Sequence, residues 1–120
     1  MREIKFRAWD KKRKNMLLVP TLYFNDTNYT ASTVRSRNDF MALGDEAELM
    51  QYTGLKDKNG KEIYESDKFE IDEDIKTVVF EDGMFLLNGN DEEIHDTDPL
   101  WCYRHHPRYE IIGNKFEGVK

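Results

Sequence analysis

The chain has 120 residues and a mass of 14.3 kDa, the size of one domain or of two small subdomains. Charged residues reach 35% against 38% hydrophobic, with a net charge of -6, yet seven Phe, six Tyr and two Trp supply enough bulky apolar area to exclude a disordered chain. No run of about 18 apolar residues occurs, which excludes a membrane-spanning helix, and the single Cys102 excludes an internal disulfide and suits a reducing compartment.

The N-terminal residues alternate charged and apolar types without the apolar stretch of a secretion signal, so a cytoplasmic location is expected. Ile4, Phe6 and Ala8 alternate with Lys5, Arg7 and Trp9, the period of a half-buried strand. A basic turn from Asp10 to Asn15 leads into an apolar strand, Met16 to Val19, that Pro20 stops or confines to a sheet edge. Leu22 to Phe24 and Tyr29 to Val34 are expected to pair across Asn25 and Asp26. The stretch from Ser36 to Leu49, carrying Phe40, Met41 and Leu43 before the breaker Gly44, is the one best suited to a helix, the alternative being a loop with one helical turn.

Next comes a hairpin. Leu49 to Thr53 and Lys61 to Glu65 are rich in strand-forming types, and Asn59-Gly60 between them suits a tight type I′ turn. Gly54 is expected to interrupt the first strand as a bulge or a bend, and Asp57, Lys58, Lys61 and Glu62 read as a solvated tip. The Asp57-x-Asn59-Gly60 run has the opening of a calcium loop but lacks the later ligands and the glutamate at the twelfth position.

Beyond Lys68, the runs Phe69 to Ile71, Thr77 to Phe80 and Met84 to Leu87 read as strands, the last two joined at Asp82-Gly83. A turn at Asn88 to Asp91 and a last strand at Tyr109 to Ile112 complete the series. The fold class expected is mainly β: a small antiparallel protein with N-terminal strands, an SH3-like barrel-type C-terminal half and at most one or two short helices. It is read as one domain over 1–120, with possible subdomains at 1–61 and 62–120.

Charge is unevenly spread. Residues 1–14 carry seven cations against two acids, a balance of +5, and residues 62–98 carry fourteen acids against two lysines, a balance of -12. The reading preferred is that the two regions attract each other in the fold, ahead of the steering of a charged partner.

Three segments carry a family likeness: Met1 to Asp10, reading Met-Arg-Glu-Ile-Lys-Phe-Arg-Ala-Trp-Asp; the central run Leu49 to Glu65; and the closing Tyr109-Glu-Ile-Ile-Gly-Asn114. In this order they resemble the landmarks of the YopX family of phage and prophage proteins. The resemblance implies a mostly β protein encoded by a bacteriophage or prophage, and brings no established biochemical activity. Where the family usually reads Glu-Gly-Asp, this chain has Glu65-Ser66-Asp67, so Ser66 must accept the backbone shape that the glycine takes.

No catalytic motif is present, so no enzymatic activity, cofactor or metal is expected. His95, Cys102, His105 and His106 lie near Asp96 and Asp98, but their spacing fits no standard zinc site. The acidic triplets Asp72-Glu73-Asp74 and Asp91-Glu92-Glu93 read as solvated turns. The function expected is a non-enzymatic module that binds a host or phage protein through an aromatic surface, for which Trp9, Tyr52, Tyr64 and Trp101 are the candidates. The alternatives are nucleic-acid binding, suggested by the basic N-terminal segment with Phe6 and Trp9 interleaved but disfavoured by overall acidity, and an acidic DNA mimic that occupies a host protein. Self-association through unpaired strand edges is open to a protein of this kind.

Overall fold

In a computed structural model that describes residues 3–89 and 98–119, the chain is built almost wholly of antiparallel strands and divides into two compact units, 1–51 and 52–120. The division falls inside a long strand, β6 (Ala47–Lys56).

The first unit contains β1 (Phe6–Asp10), β2 (Asn15–Leu18), β3 (Thr21–Phe24), β4 (Ala31–Ser36) and β5 (Asp39–Ala42). Strand β1 pairs with β2 on one side and with the first half of β6 on the other. The β1–β2 turn is organised by the buried Asp10, whose Oδ1 accepts the backbone N–H groups of Lys12 and Arg13, both at 3.0 Å. Strands β3, β4 and β5 form a separate three-stranded antiparallel sheet. Ala8, Val19, Val34, Met41 and Ala47 are buried together, with Phe6, Leu17, Leu22, Leu43 and Leu49 packed around them.

The helix expected over Ser36 to Leu49 is replaced by β5, a turn and the start of β6. Alternation explains the difference: Met41 points into the core while Phe40 is exposed, and pairing of β5 with β4 satisfies the backbone that a short isolated helix would satisfy only marginally.

The second unit opens on the second half of β6 and β7 (Glu62–Tyr64), which form the expected hairpin. Its ladder shifts register between Tyr52 and Lys56, where Gly54 sits at φ +87°; Thr53 Oγ1 donates to the Ile63 carbonyl at 2.8 Å and accepts from Leu55 N–H at 3.1 Å, closing the gap. The turn differs from the type I′ expected. Gly60 N–H donates to the Asp57 carbonyl at 3.0 Å, Gly60 alone is left-handed, and Asp57 N–H donates to the Lys61 carbonyl at 2.8 Å. This is a type I turn followed by a glycine bulge, the geometry of a three-residue hairpin loop with Asp at its first position.

Nor is Asp57 part of a solvated tip. It is buried, its Oδ1 accepts from the N–H groups of Asn59 and Lys61 at 2.9 Å each, and its Oδ2 accepts from Ile111 N–H at 3.1 Å. Lys58 N–H donates to the Tyr109 carbonyl at 2.8 Å and its ammonium to the Pro107 carbonyl at 3.0 Å. The hairpin tip therefore holds the segment from Pro107 to Ile111 by backbone contacts, and Tyr109 to Ile112, expected as a strand, is instead an irregular segment fastened to the hairpin.

Strands β8 (Asp67–Ile71), β9 (Asp74–Glu81) and β10 (Met84–Gly89) form an antiparallel meander, joined to β11 (Asp98–Pro99), β12 (Gly113–Asn114) and β13 (Gly118–Val119) in the order β11-β10-β9-β8-β12-β13. Both meander turns have two residues at positive φ, Asp72-Glu73 and Asp82-Gly83, as type I′ turns require. A single turn of 3-10 helix, Leu100–Tyr103, follows β11. Ile63, Phe69, Ile71, Val78, Leu87, Leu100 and Tyr109 make the core.

Two landmark positions acquire physical reasons in this unit. Ser66 adopts φ +73°, the left-handed backbone for which glycine is suited, while its N–H donates to the Val78 carbonyl at 2.8 Å and its carbonyl accepts from Lys115 N–H at 2.9 Å. A Cβ on Gly113 would overlap the Gly118 carbonyl oxygen and come within 2.8 Å of Val119 Cα, so only glycine lets β12 and β13 approach.

Candidate interaction surface

Of the four rings proposed from sequence, three are buried. Trp9 keeps 8% of its surface, Tyr52 6% and Tyr64 5%. Tyr52 and Tyr64 are cross-strand partners on β6 and β7 with ring centroids 5.5 Å apart, so their role is packing. A docking surface built on these three rings is corrected by that burial. Trp101 is exposed, on the 3-10 turn, with the Arg104 guanidinium 5.2 Å from its ring centroid.

An exposed aromatic cluster lies elsewhere, on the β3–β4–β5 sheet. Leu22, Val34 and Met41 face each other in register and belong to the core, so the alternate residues occupy the outer face: Thr21, Arg35 and Phe40 in one row, Tyr23, Thr33 and Ala42 in the next. Phe40 is 57% exposed and Tyr23 41%, yet their centroids are 5.9 Å apart, spanning β4. The Arg35 guanidinium lies 5.4 Å from the Phe40 centroid, and its Nε donates to the Arg37 carbonyl at 2.9 Å. Two uncovered rings braced by an arginine on one sheet face match the residue types that dominate interface cores.

A signal for this face existed in the sequence. Tyr23 follows Leu22 and Phe40 precedes Met41, so in strands each aromatic falls on the phase opposite an aliphatic core residue.

Phe40 also lines a cleft of about 490 Å³ with Asp10, Lys11, Lys12, Arg13, Asp39, Met41, Asp45 and Glu46. The charges here are largely compensated. Arg13 pairs with Asp39 at 2.7 Å, Lys11 with Glu48 at 3.1 Å and with the Gly44 carbonyl, and Lys5 with Glu3 at 2.8 Å. Lys5, Lys11 and Arg13 thus each have an acid partner inside the first unit. Hydrogen bonding to Asp39 holds the Arg13 guanidinium above its usual pKa. Lys12, Lys14, Arg35 and Arg37 pair with no carboxylate among the described residues, and of these only Arg35 lies against an exposed ring.

In the second unit, His106 faces Asp72 at 3.8 Å beside a smaller cleft of about 290 Å³ lined also by Glu70, Glu73, Pro107 and Arg108. Tyr103 donates to Asp98 at 2.9 Å, and burial followed by that hydrogen bond pushes its phenol up to about 12. Tyr109 is stacked on Phe69 at 5.5 Å, and its phenol, buried without a hydrogen-bond partner among the described residues, is also pushed up to about 12, first by desolvation and then by Asp57. Cys102 is exposed. Among the described residues no three His, Cys, Asp or Glu side chains converge as metal ligands. His95, Asp96 and the Asp91-Glu92-Glu93 triplet lie outside the described residues, as do the last two positions of the turn expected at Asn88 to Asp91. No helix among the described residues is long and apolar enough to cross a membrane.

Fold and surface together define a small, mainly β antiparallel protein with an uncovered aromatic sheet face. The chain belongs to the YopX family, described as YopX protein, which it matches over residues 5–119. It is similar in fold to the crystal structure of protein EF1440 from Enterococcus faecalis, with a TM-score of 0.73 and 24% identity over 98% of this chain and 96% of that one. No curated protein matches the sequence.

Proposed function

We propose that this chain is a phage- or prophage-encoded, non-enzymatic protein-interaction module that acts in the bacterial cytoplasm and docks a host or phage protein on the outer face of the β3–β4–β5 sheet. The observation that carries this reading is the pairing of Phe40 and Tyr23, uncovered and 5.9 Å apart, with Arg35 over the Phe40 ring. Large rings on a rigid sheet offer contact area at low entropic cost, and aromatic and arginine residues are the ones whose truncation most often weakens an interface. The family resemblance supports the phage origin. The meander of β8, β9 and β10 supports the SH3-like character expected of the second unit, which serves in this reading as scaffold.

Affinity capture from bacterial lysate tests the reading, comparing the native chain with Tyr23→Ser plus Phe40→Ser. A partner identified by mass spectrometry, reproducible and lost with the double variant, is expected. A partner retained by that variant would move the interface elsewhere.

One observation favours a second reading. Exposed rings with an adjacent arginine can also stack the bases of a single-stranded nucleic acid. The net charge of -6 opposes it, and electrophoretic shifts at low salt with single-stranded DNA and RNA distinguish the two.

A further inference from the structure

We infer that the partner presents a carboxylate-bearing polypeptide segment, whose acidic side chains meet Arg35 and Arg37 while its apolar side chains lie on Tyr23 and Phe40. This inference rests on the docking face proposed above and names the chemistry that the face recognises.

Charge complementarity carries the argument. In the first unit Lys5, Lys11 and Arg13 each have a carboxylate partner within 3.1 Å. Arg35 and Arg37 have none among the described residues, although both flank the exposed rings: Arg35 lies directly across from Phe40 in the ladder, and Arg37 occupies the β4–β5 turn. Asp39, the acid nearest in sequence, is engaged by Arg13. With its Nε committed to the Arg37 carbonyl and its Cζ 5.4 Å from the Phe40 ring centroid, Arg35 is oriented before any partner arrives, and its two terminal nitrogens form the fork that matches a carboxylate. Orienting the guanidinium in advance lowers the entropy lost on binding.

A phosphate backbone fits less well. A single strand is usually tracked by a groove of several cations, whereas this face offers two, and Asp26, Asp39, Asp45 and Glu46 stand in the strands and turns that bound it. A second copy of the chain would set the arginines of this face against each other if it docked face to face.

The test is selection from a random dodecapeptide library on the immobilised full chain, followed by fluorescence anisotropy on the enriched peptides. Peptides combining Asp or Glu with apolar residues are expected. Arg35→Glu plus Arg37→Glu should weaken them about tenfold or more, and exchanging their acids for lysine should restore affinity to that variant. Restoration is a readout that a misfolded variant cannot give. Enrichment without acidic bias, affinity indifferent to the arginine reversal, or no enrichment at all overturns the inference. If Tyr23→Ser plus Phe40→Ser abolishes binding while the arginine reversal does not, the carboxylate partner is refuted and the docking face stands. Binding of a twenty-residue oligothymidine through Tyr23 and Phe40 in preference to the peptides, or self-association in light scattering lost with the same variant, refutes both.

Discussion

Replacing Asp57 by alanine removes an acceptor that three backbone N–H groups use at once: Asn59 and Lys61 at 2.9 Å and Ile111 at 3.1 Å. Hydrogen bonds to a charged group contribute about 1.5–3 kcal/mol each where water cannot replace them. The amides of Asn59 and Lys61 belong to exposed residues and regain much of that from solvent, while Ile111, partly buried, does not. Loss of the Ile111 bond and of the turn's preference for Asp together predict a destabilisation of about 2–4 kcal/mol. Asparagine at 57 keeps one acceptor oxygen but turns an N–H₂ group toward one of its donors, so Asp57→Asn is expected to fall between alanine and the native chain. Urea unfolding followed by NMR signals of the second unit measures the cost, and amide hydrogen exchange at Ile111 locates it. Exchange at Ile111 should accelerate more than exchange in β9. A cost below about 0.5 kcal/mol, with Ile111 exchange unchanged, would refute the view that this carboxylate fastens the C-terminal segment to the hairpin.

Further outcomes follow from backbone geometry and burial. Glu73, at φ +70° in a type I′ turn, should gain about 0.5–1 kcal/mol on replacement by glycine, measured by the urea midpoint; a loss would contradict the strain assigned to it. At Ser66, glycine should preserve the fold whereas valine costs about 1–2 kcal/mol, and the reverse order would mean that the positive φ is not what the position demands. Gly113→Ala should destabilise the second unit by about 2 kcal/mol or more, visible as lost amide protection at β12 and β13. For Tyr103 and Tyr109, each pushed up to about 12, ultraviolet absorbance should show two phenols ionising well above the ordinary tyrosine range of about 10. Because these phenols are harder to ionise folded than unfolded, their contribution is full below pH 10 and is lost as pH rises from 10 toward 12. Stability that rose across that window would reverse the sign of the argument.

Much of this architecture was legible locally. Period-two alternation in Phe6 to Ala8, the strand ended by Pro20, the bulge at Gly54 and the turn at Asp82-Gly83 depend on side-chain phase and on residues with special backbone freedom, both of which sequence carries directly. The family likeness of three separated segments was legible for the same reason, and Ser66, where the family usually has glycine, does adopt a glycine-like backbone at φ +73°. What tertiary structure alone decided was which partner each segment meets. Phe40 to Leu49 has no local feature that forces strand over helix until β4 supplies hydrogen bonds to β5. Asp57 reads as a solvated charge until the Ile111 amide, far along the chain, turns toward it. Exposure is nonlocal in the same way: Trp9, Tyr52 and Tyr64 are covered and Tyr23 and Phe40 are not, because burial depends on what packs over a ring rather than on the ring itself.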